Sequence, residues 1–316
     1  MKKWIWVLLK AGVSLLLLSI LFTRVEMDQL LGVLRRMDLR YLLVALGLYL
    51  VFQVLCAFRW MLFAQPLGFQ DSFKRFVYYY YAGMFFNLFL PTAIGGDISR
   101  CYYLARGEPG LKKAVISVLA DRGIGFVALF FILAVALLQS SGMLFSEGTR
   151  LGVLSLAVLL ALGLMVPFFF KGIFMNLQRA WMFPLVYWQR PMLLFVTLLL
   201  SVLFQLIVIG AHMLIGLSLT LEIPWDYYLI FPLLAAAASM LPVTLSGLGI
   251  REGTYVLLLS KVGIPWESGL AFALGWLVVI LSASLVGGVV WISKPFSWRK
   301  EHEANKQPES TVKESK

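Results

Sequence analysis

Long apolar runs separated by short charged segments dominate this chain. Helices rise about 1.5 Å per residue and the hydrocarbon core of a bilayer is about 30 Å thick, so an apolar run of about 20 residues predicts a membrane-spanning helix. The runs that meet this requirement are Trp4–Phe22, Tyr41–Phe58, Ala114–Leu138, Leu151–Phe170, Met192–Leu217 and Leu270–Ile292. We therefore predict an all-α polytopic membrane protein with about six full transmembrane helices.

The composition supports this class. Of 316 residues, 61% are hydrophobic and 14% are charged, whereas soluble domains have about one quarter charged residues. The net charge of +11 comes from Lys and Arg between the apolar runs, which favours a positive-inside bias over nucleic-acid binding. Two isolated cysteines and two isolated histidines give no metal-ligand spacing and no nucleophile arrangement. We expect a membrane protein that is not an enzyme and that uses no metal or cofactor.

Two shorter apolar runs, Val77–Leu90 and Tyr228–Leu241, each lead into a proline. The sequences that follow are alike, LPTAIGGDISR (Leu90–Arg100) and LPVTLSGLGIR (Leu241–Arg251). Proline removes a backbone donor and glycine permits dihedrals that end a helix, so each segment is predicted to enter the membrane, unwind and continue as a second half-helix. The predicted break residues are Pro91, Gly95, Gly96, Pro242, Gly247 and Gly249. Paired interrupted segments in two halves of a chain indicate a transport site, although a chance match of two short stretches remains the alternative.

Charge placement predicts the topology. With both termini cytoplasmic and both broken segments re-entrant, most loops obey the positive-inside rule, and Arg59 counts as a charge of an inner loop. The loop Thr23–Arg40 is the exception, because it places four arginines outside. In this topology the first re-entrant segment enters from the cytoplasm and the second from outside, which predicts an inverted repeat. Residues 1–293 form the predicted membrane domain, and the polar residues 294–316 form a cytoplasmic tail that we expect to be disordered.

Charges inside the apolar runs indicate where function lies. Asp121 and Arg122 fall within a predicted span, and an intramembrane charge costs about 2.5 to 3.5 kcal/mol on insertion scales. Neighbouring residues on a helix point about 100° apart, so each of these two needs a partner on another segment. Arg100, Arg251 and Glu252 are the candidates. The alternative is a buried ion-pair network that only joins helices.

The arginines after the two breaks suit an anionic lipid headgroup. The guanidinium fork of Arg100 and of Arg251 matches phosphate oxygens, and backbone N–H groups near 95–97 and 247–249 would favour an anion. Asp97 and Glu252 would balance the charge or titrate. The arginines could instead cap helix ends or bind interfacial lipid without moving it. The candidate transport residues are Asp97, Arg100, Asp121, Arg122, Arg251 and Glu252.

Three other polar features favour structural roles. Asn87 precedes the first break and is interpreted as a partner of freed backbone groups. His212 is alone in an apolar run and is interpreted as a packing residue. The four consecutive tyrosines Tyr78–Tyr81 are typical of an aromatic belt at the membrane interface.

At these motifs the chain resembles a known family. NLFLPTAIGGDISRCYYLAR (Asn87–Arg106), the pair Asp121-Arg122, and LPVTLSGLGIREG (Leu241–Gly253) are similar to the signature regions of the flippase-like family named for the transmembrane domain of lysylphosphatidylglycerol synthase. The resemblance extends from about Trp4 to Ile292. The second motif is the more specific, since the first has Thr-Ala-Ile-Gly-Gly-Asp where many relatives have a shorter Gly-rich acidic stretch.

The resemblance implies a polytopic fold with re-entrant helices that moves or handles an anionic phospholipid or a polyprenyl-phosphate lipid. Bifunctional relatives carry an aminoacyl-transferase domain, which we do not expect here because only a short polar tail follows Ile292. A lipid-linked glycosyl or aminoacyl transferase component, and a lipid-binding partner of a separate synthase, remain alternatives. We expect membrane lipids as partners, with a homodimer possible, in a prokaryotic plasma membrane.

Overall fold

The computed structural model describes residues 2–89, 95–106, 110–139, 185–240 and 243–293, together with single residues between 148 and 155. These residues form α-helices joined by short turns, and no strand occurs among them, which confirms the all-α prediction. The helices are α1 (Lys2–Thr23), α2 (Met27–Arg35), α3 (Leu39–Ala64), α4 (Phe73–Phe89), α5 (Gly95–Leu104), α6 (Leu111–Gln139), α7 (Leu185–Trp188), α8 (Pro191–Ser218), α9 (Phe231–Ser239), α10 (Ile250–Ser260) and α11 (Trp266–Ser293).

Four helical segments of the described part are long and apolar enough to cross a membrane. They are Leu39–Leu67, Leu111–Gln139, Pro191–Ser218 and Trp266–Ser293, and each contains or closely matches one of the predicted spans. The predicted span Trp4–Phe22 lies in α1, which is followed by α2 at a bend of 90° and gives a fifth span if the pair counts as one. The predicted span Leu151–Phe170 and the predicted tail 294–316 lie outside the described residues.

The topology predicted a loop over residues 23–40, but this segment contains the helix α2. Apolar side chains on one face of α2, with Leu30 buried, pack against the protein core, and α2 contacts α11. Asp28 lies in the first turn of the helix and Arg35 in its last turn. An amphipathic helix of this kind holds charged residues in the interface while its apolar face is covered, so the arginines near α2 belong to an ordered helix.

Two pairs of short helices pack against each other as hairpins. The first hairpin is α4 with α5, and the second hairpin is α9 with α10. In the first hairpin α4 ends at Phe89 and α5 begins at Gly95, and in the second α9 ends at Ser239 and α10 begins at Ile250. Pro91 and Pro242, the predicted prolines of the breaks, lie outside the described residues.

Glycine permits the close geometry of both hairpins. Gly247 and Gly249 have φ angles of +80° and +86°, a left-handed conformation that side chains with a Cβ rarely adopt. Gly95 and Gly96 begin α5 instead of lying in the unwound segment. A Cβ on Gly96 would lie 2.5 Å from the carbonyl oxygen of Gly83 on α4, so only glycine allows the two helices to approach this closely.

The two hairpins begin at opposite ends of the helix pair formed by α3 and α8. The backbone N–H of Asp38, which precedes α3, donates to the carbonyl of Ser218 at the end of α8 at 2.9 Å. At the other end, the Tyr187 hydroxyl donates to the carbonyl of Phe63 at 2.7 Å. α3 and α8 are therefore antiparallel. The first hairpin follows the end of α3 and the second follows the end of α8, so the chain enters them from opposite ends.

Candidate functional site

A network of buried charges joins the first hairpin to the core. Asp121 on α6 is 1% exposed and accepts hydrogen bonds from Arg59 Nε at 2.8 Å and from Arg100 Nη2 at 3.0 Å. Asp97 at the start of α5 accepts from Arg100 Nη1 at 3.3 Å and from Arg122 Nε. These five residues are called the arginine–aspartate network below. Four of the six predicted transport residues belong to it, and each acidic member binds two arginines.

The adjacent pair Asp121 and Arg122 does indeed use different partners. Asp121 points to Arg59 and Arg100, whereas Arg122 points to Asp97. This separation follows from the 100° step between neighbours on a helix. The sequence suggested Arg100, Arg251 and Glu252 as partners of this pair. In the structure Arg100 contacts Asp121, whereas Arg251 and Glu252 contact each other in the second hairpin.

Arg59 was assigned to an inner loop, and that assignment is wrong. α3 continues past Arg59 to Ala64, the residue is buried, and its Nη1 donates to Ser201 Oγ on α8 at 2.7 Å. The prediction failed because the apolar run was ended at the first charge. The apolar residues 60–64 that follow, with no proline before Pro66, were the signal that the helix extends.

Arg100 lies between two aromatic rings. Its guanidinium carbon is 4.2 Å from the centroid of the Trp60 ring and 4.2 Å from that of Tyr80, a geometry that stabilises a cation. Its Nε is buried and has no hydrogen-bond partner within the described residues, and an unmatched buried donor costs about 1 to 3 kcal/mol. Tyr79 and Tyr81 are also buried, so these two tyrosines pack inside the protein instead of facing lipid as the rings of an exposed aromatic belt do.

Arg122 is the exposed member of the network. Its side chain is 37% exposed while that of Asp97 is 9% exposed. It lies eleven residues after the start of α6, or about 17 Å along the helix, and this distance exceeds the one expected from the sequence because α6 begins at Leu111 and not at Ala114. Three arginines and two aspartates give the network a formal charge of +1. Among the described residues the network is therefore rich in charge, mostly buried, and has one more arginine than aspartates.

The second hairpin contains a separate and neutral pair. Arg251 Nη2 and Nε donate to Glu252 Oε1 at 2.6 and 3.0 Å, and Gly249 N donates to Glu252 Oε2 at 2.7 Å. Glu252 is completely buried. Because this pair lies in the first turn of α10, its side chains reach back to the break and meet there despite being neighbours. The six predicted residues thus form two groups with equal numbers of acidic and basic members, and the excess charge of the first group comes from Arg59, which joins it in the structure.

The backbone amides at the two breaks are less available to an anion than predicted. Gly96 N donates to Asn87 Oδ1, so Asn87 satisfies the start of α5 from α4. Gly249 N donates to Glu252. These two N–H groups are therefore occupied by side chains.

His212 holds the second hairpin to α8. Its Nδ1 lies 2.7 Å from the Val208 carbonyl and its Nε2 lies 2.8 Å from the Tyr255 hydroxyl. A carbonyl only accepts, so Nδ1 donates and Tyr255 donates to Nε2. Within the described residues, no group of three or more His, Cys, Asp or Glu could hold a metal ion.

Comparison with known proteins shows the family to which the chain belongs. The family model described as the lysylphosphatidylglycerol synthase TM region matches residues 7–288. The chain belongs to this family. It is also similar to a UPF0104 membrane protein of Pyrococcus horikoshii, with 24% identity over 143 residues, which cover 44% of this chain and 42% of that relative. The aligned segment therefore spans less than half of the relative's length.

The arginine–aspartate network lies inside the family region. Residues 7–288 include both hairpins and every helix that contributes a charge to the network. The five residues of the network therefore belong to the membrane region for which the family is named. This chain is a multi-pass membrane protein of the lysylphosphatidylglycerol synthase TM family.

Proposed function

We propose that this family member translocates an anionic membrane lipid. The observation that carries the proposal is the arginine–aspartate network, which places three arginines against two aspartates deep within the helices. One phosphate group with a single charge would neutralise it. A network that only joined helices would need no excess charge, whereas this network has three arginines for two aspartates among the described residues.

The two hairpins supply the moving parts in this proposal. They act as an inverted pair of broken helices, one entering from each side of a prokaryotic plasma membrane, with both termini cytoplasmic. Charged sites between such half-helices are typical of transporters with alternating access. The headgroup would pass along the arginines while the acyl chains stay in the bilayer, and no covalent step is required of the chain.

The lipid class is a phospholipid or polyprenyl phosphate with an anionic headgroup. Arg100 supports this choice, since its buried Nε lacks a partner among the described residues and its fork suits phosphate oxygens. The alternatives are a transferase component and a lipid-binding partner of a synthase. Both would bind a headgroup without moving it across the membrane.

A transport assay separates these functions. The purified chain is reconstituted in phosphatidylcholine vesicles that contain head-labelled phosphatidylglycerol or a labelled polyprenyl phosphate, and the label that becomes accessible from outside is followed with time. We expect the wild type to equilibrate one of these lipids. We expect Arg100→Gln to be slower by about tenfold or more, because a lost charge-assisted hydrogen bond is worth about 1.5 to 3 kcal/mol.

The matched control is Arg190→Gln. Arg190 is exposed just before α8, and it takes part in none of the ion pairs that form the network among the described residues, so the same change there should leave the rate unaltered. Thermal unfolding in detergent establishes that each variant is folded. If folded wild-type protein moves neither lipid, autonomous translocation is wrong and a partner role takes its place.

A further inference from the structure

We propose that the outer surface between α5 and α6 is a lateral binding site for the headgroup of an anionic lipid taken directly from the surrounding bilayer. Arg122 is the residue that receives this headgroup. The site deepens the proposed function by assigning where the lipid enters, but it requires only binding and does not require transport.

The first argument is the position of Arg122. It lies about 17 Å from the start of α6 by the rise per residue, and 37% of its side chain is exposed. An arginine at such depth normally extends toward the interface and so remains hydrated. This one is instead held across to Asp97, at the deep end of α5. Its exposed part is therefore accessible from the side of the helix pair, where the headgroup of a neighbouring lipid is the anion that could reach it.

The second argument is the surface around Arg122. Val115 and Leu119 are exposed on α6. Residues three or four positions apart lie on the same face of a helix, so these two side chains share a face with Arg122. Ile98 and Tyr102 are exposed on α5, which packs against α6. The two helices thus present an apolar surface for acyl chains with one cation set into it. Such a surface matches a lipid better than it matches a soluble phosphate compound.

The third argument is a group of cations where α5 ends and α6 begins. Arg106, Lys112 and Lys113 are exposed there, and the Arg106 guanidinium carbon lies 4.7 Å from the Tyr102 ring centroid. Basic residues at a membrane surface attract anionic lipids from the bilayer. A headgroup collected at this end would next meet Arg122 along the same pair of helices.

Asp97 makes the site reversible. It binds both Arg122 and Arg100, so a phosphate that approaches Arg122 competes with a carboxylate for the same guanidinium. Displacing Asp97 from Arg122 would leave Asp97 with Arg100 and connect the surface site to the buried part of the network. Charge balance favours the exchange, because the network has a formal charge of +1.

A photocrosslinking experiment tests the site. The full chain is reconstituted in phosphatidylcholine vesicles that contain either phosphatidylglycerol with a photoactivatable headgroup or phosphatidylcholine with the same group. Crosslinked peptides are then identified by mass spectrometry. We expect the anionic probe to label α5 and α6 near Arg122 more than the zwitterionic probe does. Equal labelling by the two probes would overturn the proposal.

Substitutions of Arg122 and of Asp97 are expected to change labelling by the anionic probe in opposite directions. Arg122→Gln should reduce labelling by the anionic probe about tenfold, Arg122→Lys should retain most of it, and Arg190→Gln should not change it. Asp97→Asn should increase labelling, because the competing carboxylate is lost. Unchanged labelling in Arg122→Gln, or reduced labelling in folded Asp97→Asn, would show that the site is wrong. If Arg122→Gln does not fold, the comparison of Arg122→Lys with Asp97→Asn decides in the same way.

The same vesicles separate this inference from the transport proposal. Labelling that depends on Arg122, without movement of lipid, leaves the lateral site in place and refutes translocation. Movement of lipid without such labelling supports translocation by another entry and refutes the lateral site.

Discussion

Asp121→Asn is the most informative single change in the network. The substitution keeps the shape of the side chain but removes the charge that faces Arg59 and Arg100. The amide also offers one acceptor oxygen where the carboxylate offers two, and its NH₂ group would point at one of the two guanidinium groups. One arginine would then face a donor in a site with almost no solvent.

The expected cost follows from what the two arginines retain. Removing one partner of a buried ion pair typically costs about 3 to 5 kcal/mol. Arg59 keeps its hydrogen bond to Ser201 and Arg100 keeps Asp97 and two aromatic rings, so the lower part of that range applies. We expect Asp121→Asn to lower the free energy of unfolding by about 3 kcal/mol.

Denaturant titration of the folded protein in mixed micelles measures this change. The control is Asp38→Asn, since Asp38 is exposed and caps α3 through the N–H of Arg40, and asparagine caps a helix about as well as aspartate. Adding Arg59→Gln to Asp121→Asn should cost less than the sum of the single changes, with a coupling of about 1 to 3 kcal/mol. A loss below about 1 kcal/mol in Asp121→Asn, far under the cost of breaking a buried pair, would refute the proposed energetic role of the network.

Two further predictions concern the second hairpin. Gly249→Ala should lower the thermal midpoint more than Gly263→Ala does, because both glycines have positive φ but only the Cβ at Gly249 would meet a neighbour, at 2.8 Å from Leu17; equal shifts would show that backbone strain alone matters. Tyr255→Phe should lower the free energy of unfolding by about 1 to 3 kcal/mol, because it leaves His212 Nε2 buried without its hydrogen-bond donor. An unchanged unfolding curve would contradict that hydrogen bond.

The helices could be predicted from the sequence because the physics that sets them is local. A long apolar run has few alternatives in a bilayer, and four such runs appear as candidate spans. The glycines after the two breaks were also informative, as Gly247 and Gly249 adopt positive φ angles. The amphipathic helix α2 was not predicted because it is short and rich in charge, and its apolar side chains, Leu30 among them, form a helical face only over nine residues.

The partners within the site could not be predicted in the same way. Arg59 and Asp121 are 62 positions apart, and no local pattern relates them. The sequence indicated that Asp121 needed a distant partner, which is a requirement of charge burial, but it did not indicate which arginine would supply it. Tyr80 is a similar case, since four tyrosines in a row suggest an interface until the structure places Arg100 against one of their rings.

The two hairpins resemble each other in sequence but differ in electrostatics. In the second, Glu252 binds Arg251 and the Gly249 amide, so its charges are satisfied within one turn of one helix. In the first, the break is held by the uncharged Asn87, which leaves Asp97 and Arg100 to bind residues of α6. Opening the second hairpin therefore need not separate any ion pair, whereas moving the first relative to α6 must separate at least two. An anion that replaces Asp97 or Asp121 as an arginine partner would lower that cost, which makes the first hairpin the one whose position a bound headgroup can control.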